Sequence, residues 1–264
     1  MPTNKQTHKL YGGDVEIDFY PDSHRYKLLG EKTYLISVTA VTGILDKSRA
    51  LIPWAVNTDL GYIKQYLDER ADQKFTLEEL EPVIEEAKNK HTEAKDTAAT
   101  NGSMVHDYAE NFAKSIIDGT EAPEIDPEWP EQVHQGISAF LEWYNANEIE
   151  FHATEGLVYS KNLGVVGTAD AVATVNGEKA LIDYKTSKGV YPEYHYQAAG
   201  YLRMWNEEHP DDKLTAAKIL HFNKEDGSFN VVDIENLDQA ITVFESLAVT
   251  KQLLKTYNKL IGAW

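Results

Sequence analysis

The segment GTADAVATVNGEKALIDYKTSK, from Gly167 to Lys188, constrains the fold more than any other. Two apolar, alternating runs flank Asn176-Gly177, the dipeptide most strongly associated with a two-residue type I′ hairpin turn. With that loop, Val175 faces Glu178 and Thr174 faces Lys179, and continuing the register sets Asp170 opposite Asp183. Facing side chains on one sheet surface sit ~4.5–5.5 Å apart at Cβ. Successive side chains alternate between faces, so Lys185 shares the face of Asp183 while Tyr184 points the other way.

Two carboxylates so placed repel one another by roughly 3 kcal/mol at ~5 Å and an effective dielectric near 20. A divalent cation between them reverses the sign, and hard oxygen ligands suit Mg²⁺ or Mn²⁺. The pattern is therefore read as a metal site with an ammonium beside it. The alternative is a solvent-exposed pair at a strand end, with Lys185 as counter-ion.

Composition narrows the chemistry. The chain has 264 residues and no cysteine. That excludes disulfides, zinc–thiolate sites, thiolate-held iron–sulfur clusters and a cysteine nucleophile. The formal net charge of −18 opposes nucleic-acid binding unless charge is segregated or cations cancel part of it. No apolar run approaches the ~18 residues of a membrane span. The opening MPTNKQTHKLYGGD lacks an apolar signal core. A cytoplasmic protein without membrane contact is the expectation.

The pattern predicts an α/β fold spanning 1–264 as one domain. Residues 1–100 would form an N-terminal β-hairpin, turning at PDSH, and a helical region; 101–235 a core with a mixed central sheet flanked by helices; 236–264 a closing helix. SVTAVTGIL reads as a short helix capped by Ser37 or Thr39. Helices are expected over about 51–67 and 76–112, the latter including a solvated face in LEELEPVIEEAKNK. DGTEAPEIDPEWP reads as an exposed connection, and EQVHQGISAFLEWYNAN as an amphipathic helix. Three strand-like runs follow, then the helix PEYHYQAAGYLRMWNEE. A hairpin across EDGS and a last helix complete the chain.

At GTAD, IDYKTS and QAAGY the sequence resembles the PD-(D/E)xK nuclease superfamily in its RecB-like branch. Gly167, Asp170, Asp183, Lys185, Gln197 and Tyr201 fall on the G-x-x-D, (D/E)-x-K and Q-x-x-x-Y pattern. GSMVHDYAE supplies Gly102, His106 and Glu110 for the branch's upstream helix, and Glu155 stands on the first core strand. The match covers roughly 101–205. The layout is similar to phage-encoded RecB-like and mitochondrial genome maintenance exonucleases. It departs from relatives with a four-cysteine iron–sulfur cluster, and it has no G-x-x-x-x-G-K-[ST] motor motif.

The resemblance implies a restriction-endonuclease-like core and a DNA exonuclease using one or two Mg²⁺ or Mn²⁺ ions. The partners it implies are DNA with a free end and a recombination or single-strand-binding protein. Asp170, Asp183, His106 and the Tyr184 carbonyl would hold metal. Lys185 would orient or activate water and stabilise charge on phosphate, and Glu155 would coordinate through water or hold a second ion. Gln197, Tyr201, Tyr194 and Lys188 would contact substrate, unless Gln197 braces Lys185. Glu110 would receive the second imidazole N–H of His106. Lys161, Arg203 and Lys224 are further basic residues available to phosphates. Trp54, Tyr62 and Tyr66 read as core, with stacking on splayed bases as the alternative. His24, His195 and His221 receive no role. Two rival readings are a non-catalytic module of nuclease-like fold that binds DNA ends or proteins, and an acidic interaction protein.

Overall fold

The computed structural model describes residues 4–223 and 227–262. Its first layer is a three-stranded antiparallel sheet of β1 (Gln6–Leu10), β2 (Val15–Tyr20) and β3 (Arg25–Leu28). The expected hairpin is β2–β3, turning through Pro21–Ser23. β1 is an addition that the polar QTHKL stretch does not signal. Alternation buries Ile17 and Tyr26 against Leu157, Tyr159 and Val166 of the main sheet.

The main sheet contains β4 (Ile36–Ser37), β5 (Ile149–Ser160), β6 (Val165–Val175), β7 (Glu178–Ser187), β8 (Ala216–Asn223) and β9 (Phe229–Asp233). Its order is β4-β6-β7-β8-β9, with β5 on the other edge of β6. The β6–β7 and β8–β9 pairs are antiparallel, whereas β4–β6 and β7–β8 are parallel, so the sheet is mixed as expected. Lys224, and with it part of the EDGS turn, lies outside the described residues.

Helices cover both faces. α4 (Lys90–Asp118) and α5 (Glu131–Ala146) pack on Ala171, Ile182, Tyr184 and Leu220. On the other face, α1 (Val38–Thr42), α6 (Pro192–Glu208) and α7 (Leu237–Leu260) pack on Val172, Leu181 and Ile219. Ser37 caps α1 through its hydroxyl, which accepts from Ala40 N–H at 3.1 Å. The single helix expected over 76–112 is instead two. α3 (Leu77–Ala87) starts with a Thr76–Glu79 capping box, and the chain breaks at Lys88-Asn89 before α4. Asp59 of α2 (Ser48–Asp68) accepts from the His91 N–H at 2.9 Å, satisfying a first-turn donor of α4 that the helix itself cannot. Trp54, Tyr62 and Tyr66 are not core: α2 buries none of its residues, and the two tyrosine rings lie under Lys90 and Arg70. No helix among the described residues is long and apolar enough to cross a membrane.

The sheet splits at one place. β5 occupies one edge of β6 along its length, so β4 and β7 must share the other. β4 pairs with Val165–Val166 and β7 with Ala171–Val175, which leaves 167–170 of that edge without a strand partner. Tyr201 of α6 packs over β6 at Gly167, on one face of the sheet. A Cβ on Gly167 would lie 2.6 Å from the Tyr201 ring and 3.0 Å from Val38. Gly167→Ala is expected to lower stability by about 1–3 kcal/mol, as overpacking does in a tight core. Urea denaturation measures it, and an unchanged midpoint would contradict this account of the glycine.

Candidate metal centre

The hairpin register is the one the Asn-Gly turn requires. Asn176 and Gly177 have φ of 51° and 85°, and pairs run from Val175↔Glu178 to Ala171↔Ile182. The ladder then stops, one position short of Asp170 and Asp183. In this register the Tyr184 N–H and C=O both point toward β6. The N–H donates to Asp170 Oδ2 at 2.7 Å, so a carboxylate takes a donor that a continued ladder would give to backbone. The Tyr184 carbonyl faces the same opening and accepts from Lys185 Nζ at 3.4 Å.

Asp183 has no exposed surface. Lys185 Nζ lies 2.6 Å from its Oδ2 in a close charge-assisted pair, while Oδ1 has no donor. Burial raises the Asp183 pKa, Lys185 draws it back and Asp170 pushes it up again, to about 6. Burial alone would raise Asp170 as well, but His106, Lys185 and the Tyr184 N–H hold it below the usual carboxylate range. Burial opposes the Lys185 cation, yet Asp183 and Asp170 outweigh it and its pKa stays raised. Lys185 is therefore an ammonium at neutral pH. The two aspartates feel each other and share Lys185, as the sequence reading requires, although the ladder itself does not reach them.

α4 supplies the imidazole. A Cβ on Gly102 would lie 2.4 Å from Thr186 Oγ1, so the glycine lets α4 approach β7 closely. One turn on, His106 Nε2 lies 3.4 Å from Asp170 Oδ2, and its ring meets Tyr184 edge-on at 5.5 Å. Burial disfavours its cation, but Asp170 and Glu110 more than offset that and raise its pKa. Glu110 does not receive the second imidazole N–H. Its Oε2 is 3.9 Å from Nδ1, beyond hydrogen-bond reach, because its carboxyl interacts with Glu155. Burial and Glu155 raise Glu110 to about 7. His106, Asp107 and Glu110 also bring ligand atoms within 4.8 Å of one another, but Asp107 is exposed and lies on the Nδ1 side, away from Asp170.

Glu155 stands at a left-handed φ of 48°, where its pairing with Asp170 is skipped between Thr154↔Ala171 and Gly156↔Ala169. Much of the residue is exposed, while its carboxyl sits in the fields of Asp170 and His106 and is raised by desolvation and by Asp170. On α6, Gln197 donates to the Tyr201 hydroxyl at 3.1 Å, so it braces Tyr201 and not Lys185. The Tyr194 ring lies 5.5 Å from Lys185 Nζ instead. Lys188 is exposed just beyond β7. Arg203 is engaged by Glu207 and Glu245, and Lys161 lies over Tyr11.

The donors fit a hard divalent cation. A fully buried carboxylate is costly unless it is paired and hydrogen-bonded, and Asp183 is paired through one oxygen only. Here that group adjoins a second carboxylate, a backbone carbonyl and an imidazole. Two residues escape sequence reasoning. The Tyr184 hydroxyl is buried beside His106 without a hydrogen-bond partner. His24 bonds the Tyr26 hydroxyl at 3.2 Å, which reaches Thr168 of β6 at 2.9 Å. A PDSH turn marks a bend but not the direction of its histidine.

The pKa directions give a pH dependence for the metal-free protein. Asp183 and Glu110 are raised above their ordinary values, so their neutral forms favour the fold. Stability is full below about pH 4 for these groups and is lost as pH rises through about 6 and 7. The raised His106 has the same sign, and Asp170 acts only at lower pH. For Asp183 alone the loss is roughly 3 kcal/mol, at 1.36 kcal/mol per pKa unit. The melting temperature in chelator is expected to be higher at pH 5 than at pH 8, with the difference reduced in Asp183→Asn. An equal difference in both proteins would contradict the assignment.

No family model and no curated relative matches the chain. Several solved structures superpose on part of it, among them these two. One, from Eubacterium rectale, is provisionally assigned as an exonuclease; it is 14% identical, with a TM-score of 0.40, over 59% of this chain and 68% of that one. The other, SSO0001, is 18% identical, with a TM-score of 0.28, over 46% of this chain and 57% of that one. The chain thus spans little more than half the length of SSO0001, and at these scores neither likeness bears on function.

Proposed function

We propose that this chain is a Mg²⁺- or Mn²⁺-dependent deoxyribonuclease of the PD-(D/E)xK superfamily, RecB-like branch, acting as an exonuclease on DNA with a free end. The observation that carries the reading is Asp183: a buried carboxylate with one oxygen paired to a held ammonium and the other free of any donor, next to Asp170. Asp170, Asp183, the Tyr184 carbonyl and His106 would hold the cation. The chemistry supplied by the cation when bound is Lewis acidity toward the scissile phosphate and the attacking water.

The chain's own groups do the rest. Lys185, charged and fixed between two aspartates, offers its ammonium to the developing phosphorane charge. It is too strongly protonated to serve as general base. Glu155 and Glu110 stand at the rim, and Glu110, titrating near 7, is suited to accept a proton from water. Gln197 and Tyr201, hydrogen-bonded to each other, and Tyr194, whose ring faces Lys185, would contact the substrate together with Lys188.

The test is Mg²⁺- or Mn²⁺-dependent degradation of end-labelled DNA, offered linear and circular, single- and double-stranded. Linear substrate should shorten from an end while circles persist. A wild-type protein that leaves every substrate whole, with either metal, would refute the reading and favour a binding module.

A further inference from the structure

The charge of −18 is not evenly spread. From Val249 to Gly262 the chain has Lys251, Lys255 and Lys259 and no Asp or Glu. The three lysines repeat every fourth residue on α7 and so share a face. Next to them in space, not in sequence, is β3. Arg25 and Lys27 project from one face of that strand and lie over the Tyr34 ring, at 5.0 and 5.4 Å from its centre. Leu35 N–H donates to the Tyr26 carbonyl at 2.9 Å, fixing the Tyr34 segment along β3. Lys255 Nζ donates to the Tyr34 carbonyl at 3.0 Å and joins the two groups into one surface. Tyr34 is 40% exposed, so an aromatic ring stands among the cations.

This surface adjoins the surroundings of the metal centre at the turn before β3. Arg25 follows His24, whose imidazole bonds Tyr26 and lies in the field of Glu155. Tyr26 in turn bonds Thr168, within the opening of β6 that holds Asp170. Tyr26 itself is buried on the opposite face of β3 from Arg25 and Lys27, so the exposed link between the surface and the site is His24.

We infer that Arg25, Lys27, Tyr34 and the Lys251–Lys255–Lys259 face of α7 form a track for the phosphodiester backbone of a single DNA strand entering or leaving the metal centre. Cations interleaved with exposed aromatic rings are the arrangement that holds single strands without regard to sequence. Charge complementarity selects this occupant: on so acidic a chain these cations gather on one surface, and Asp18, which faces Lys27 across the β2–β3 ladder, is already held by Lys5 and Thr7. The inference rests on the nuclease reading for its direction but not for its existence.

The experiment compares wild type, Arg25→Gln/Lys27→Gln/Lys255→Gln and a control, Lys74→Gln/Lys95→Gln/Lys213→Gln, which removes equal charge elsewhere. Binding of a fluorescent single strand of about 20 nucleotides is followed by anisotropy in chelator across a salt series, and cleavage is followed separately in Mn²⁺. The track variant should bind on the order of tenfold more weakly, with a salt slope shallower by about 2, since each lost single-strand phosphate contact removes ~0.7. The control should match wild type, and thermal melts establish that both variants fold. Equal weakening in both variants, or none in the track variant, overturns the track. Failure of wild type to bind the strand does so too, and would leave the surface to an acidic peptide. Cleavage with unaltered binding in the track variant overturns the track alone; track-dependent binding without cleavage overturns the nuclease reading alone.

Discussion

Asp183→Asn is expected to reduce metal-dependent DNA cleavage on the order of a thousandfold and to abolish the rise in melting temperature that Mn²⁺ gives the wild type. The amide keeps the shape of the carboxyl and removes its charge. Two effects on the metal-free fold oppose each other. Stripping a buried ammonium of its partner costs about 3–5 kcal/mol. Asp183 is itself held ionised against a pKa raised to about 6, and that roughly 3 kcal/mol cost disappears. Asp170 also remains to face Lys185. The net change in stability should therefore stay within about 2 kcal/mol, so lost activity would not reflect lost structure. Activity assays and melts with and without Mn²⁺ decide it. A variant that still cleaves, or still gains stability from Mn²⁺, would remove Asp183 from the centre.

Lys185→Gln should behave in the opposite way toward metal. Without the ammonium, Asp183 is buried with no cation, and the metal-free protein should lose about 3–5 kcal/mol at neutral pH. The loss should shrink toward pH 5 as Asp183 takes up a proton, because its pKa climbs further without Lys185. Mn²⁺ should restore more stability than in wild type, since the ion no longer competes with a fixed positive charge. Cleavage should still fall by about 10²–10³-fold, the cost of one missing donor to developing charge. Metal binding and turnover would then part company, which a purely structural lysine would not produce. Retained cleavage at saturating Mn²⁺ would assign Lys185 to folding alone.

The two variants also mark what a linear reading reaches. Asn176-Gly177 and strict alternation fix the hairpin register as far as Ala171↔Ile182, and the sheet class follows from the same periodicity. Both features are local, so a sequence displays them. The last step to Asp170 is not local. It depends on β4, which takes Val165–Val166 from far earlier in the chain, and on Tyr201, which wedges against Gly167. A two-residue strand and a ring inserted from a helix have no sequence signature of their own. Glu110 illustrates the same limit: i, i+4 spacing puts it near His106, but its carboxyl meets that of Glu155, brought in by β5, and stays 3.9 Å from the imidazole. Net charge misleads for a related reason. It sums over the chain, whereas the Lys255–Tyr34 contact joins cations that only folding brings together.

Anomalous scattering from a crystal soaked in Mn²⁺ tests the central claim most directly. A peak bounded by the Asp170 and Asp183 carboxylates and the Tyr184 carbonyl is the expected result. A peak confined to Asp107 and Glu110, or none in a crystal whose Asp183 remains buried with Oδ1 free of any donor, would contradict it.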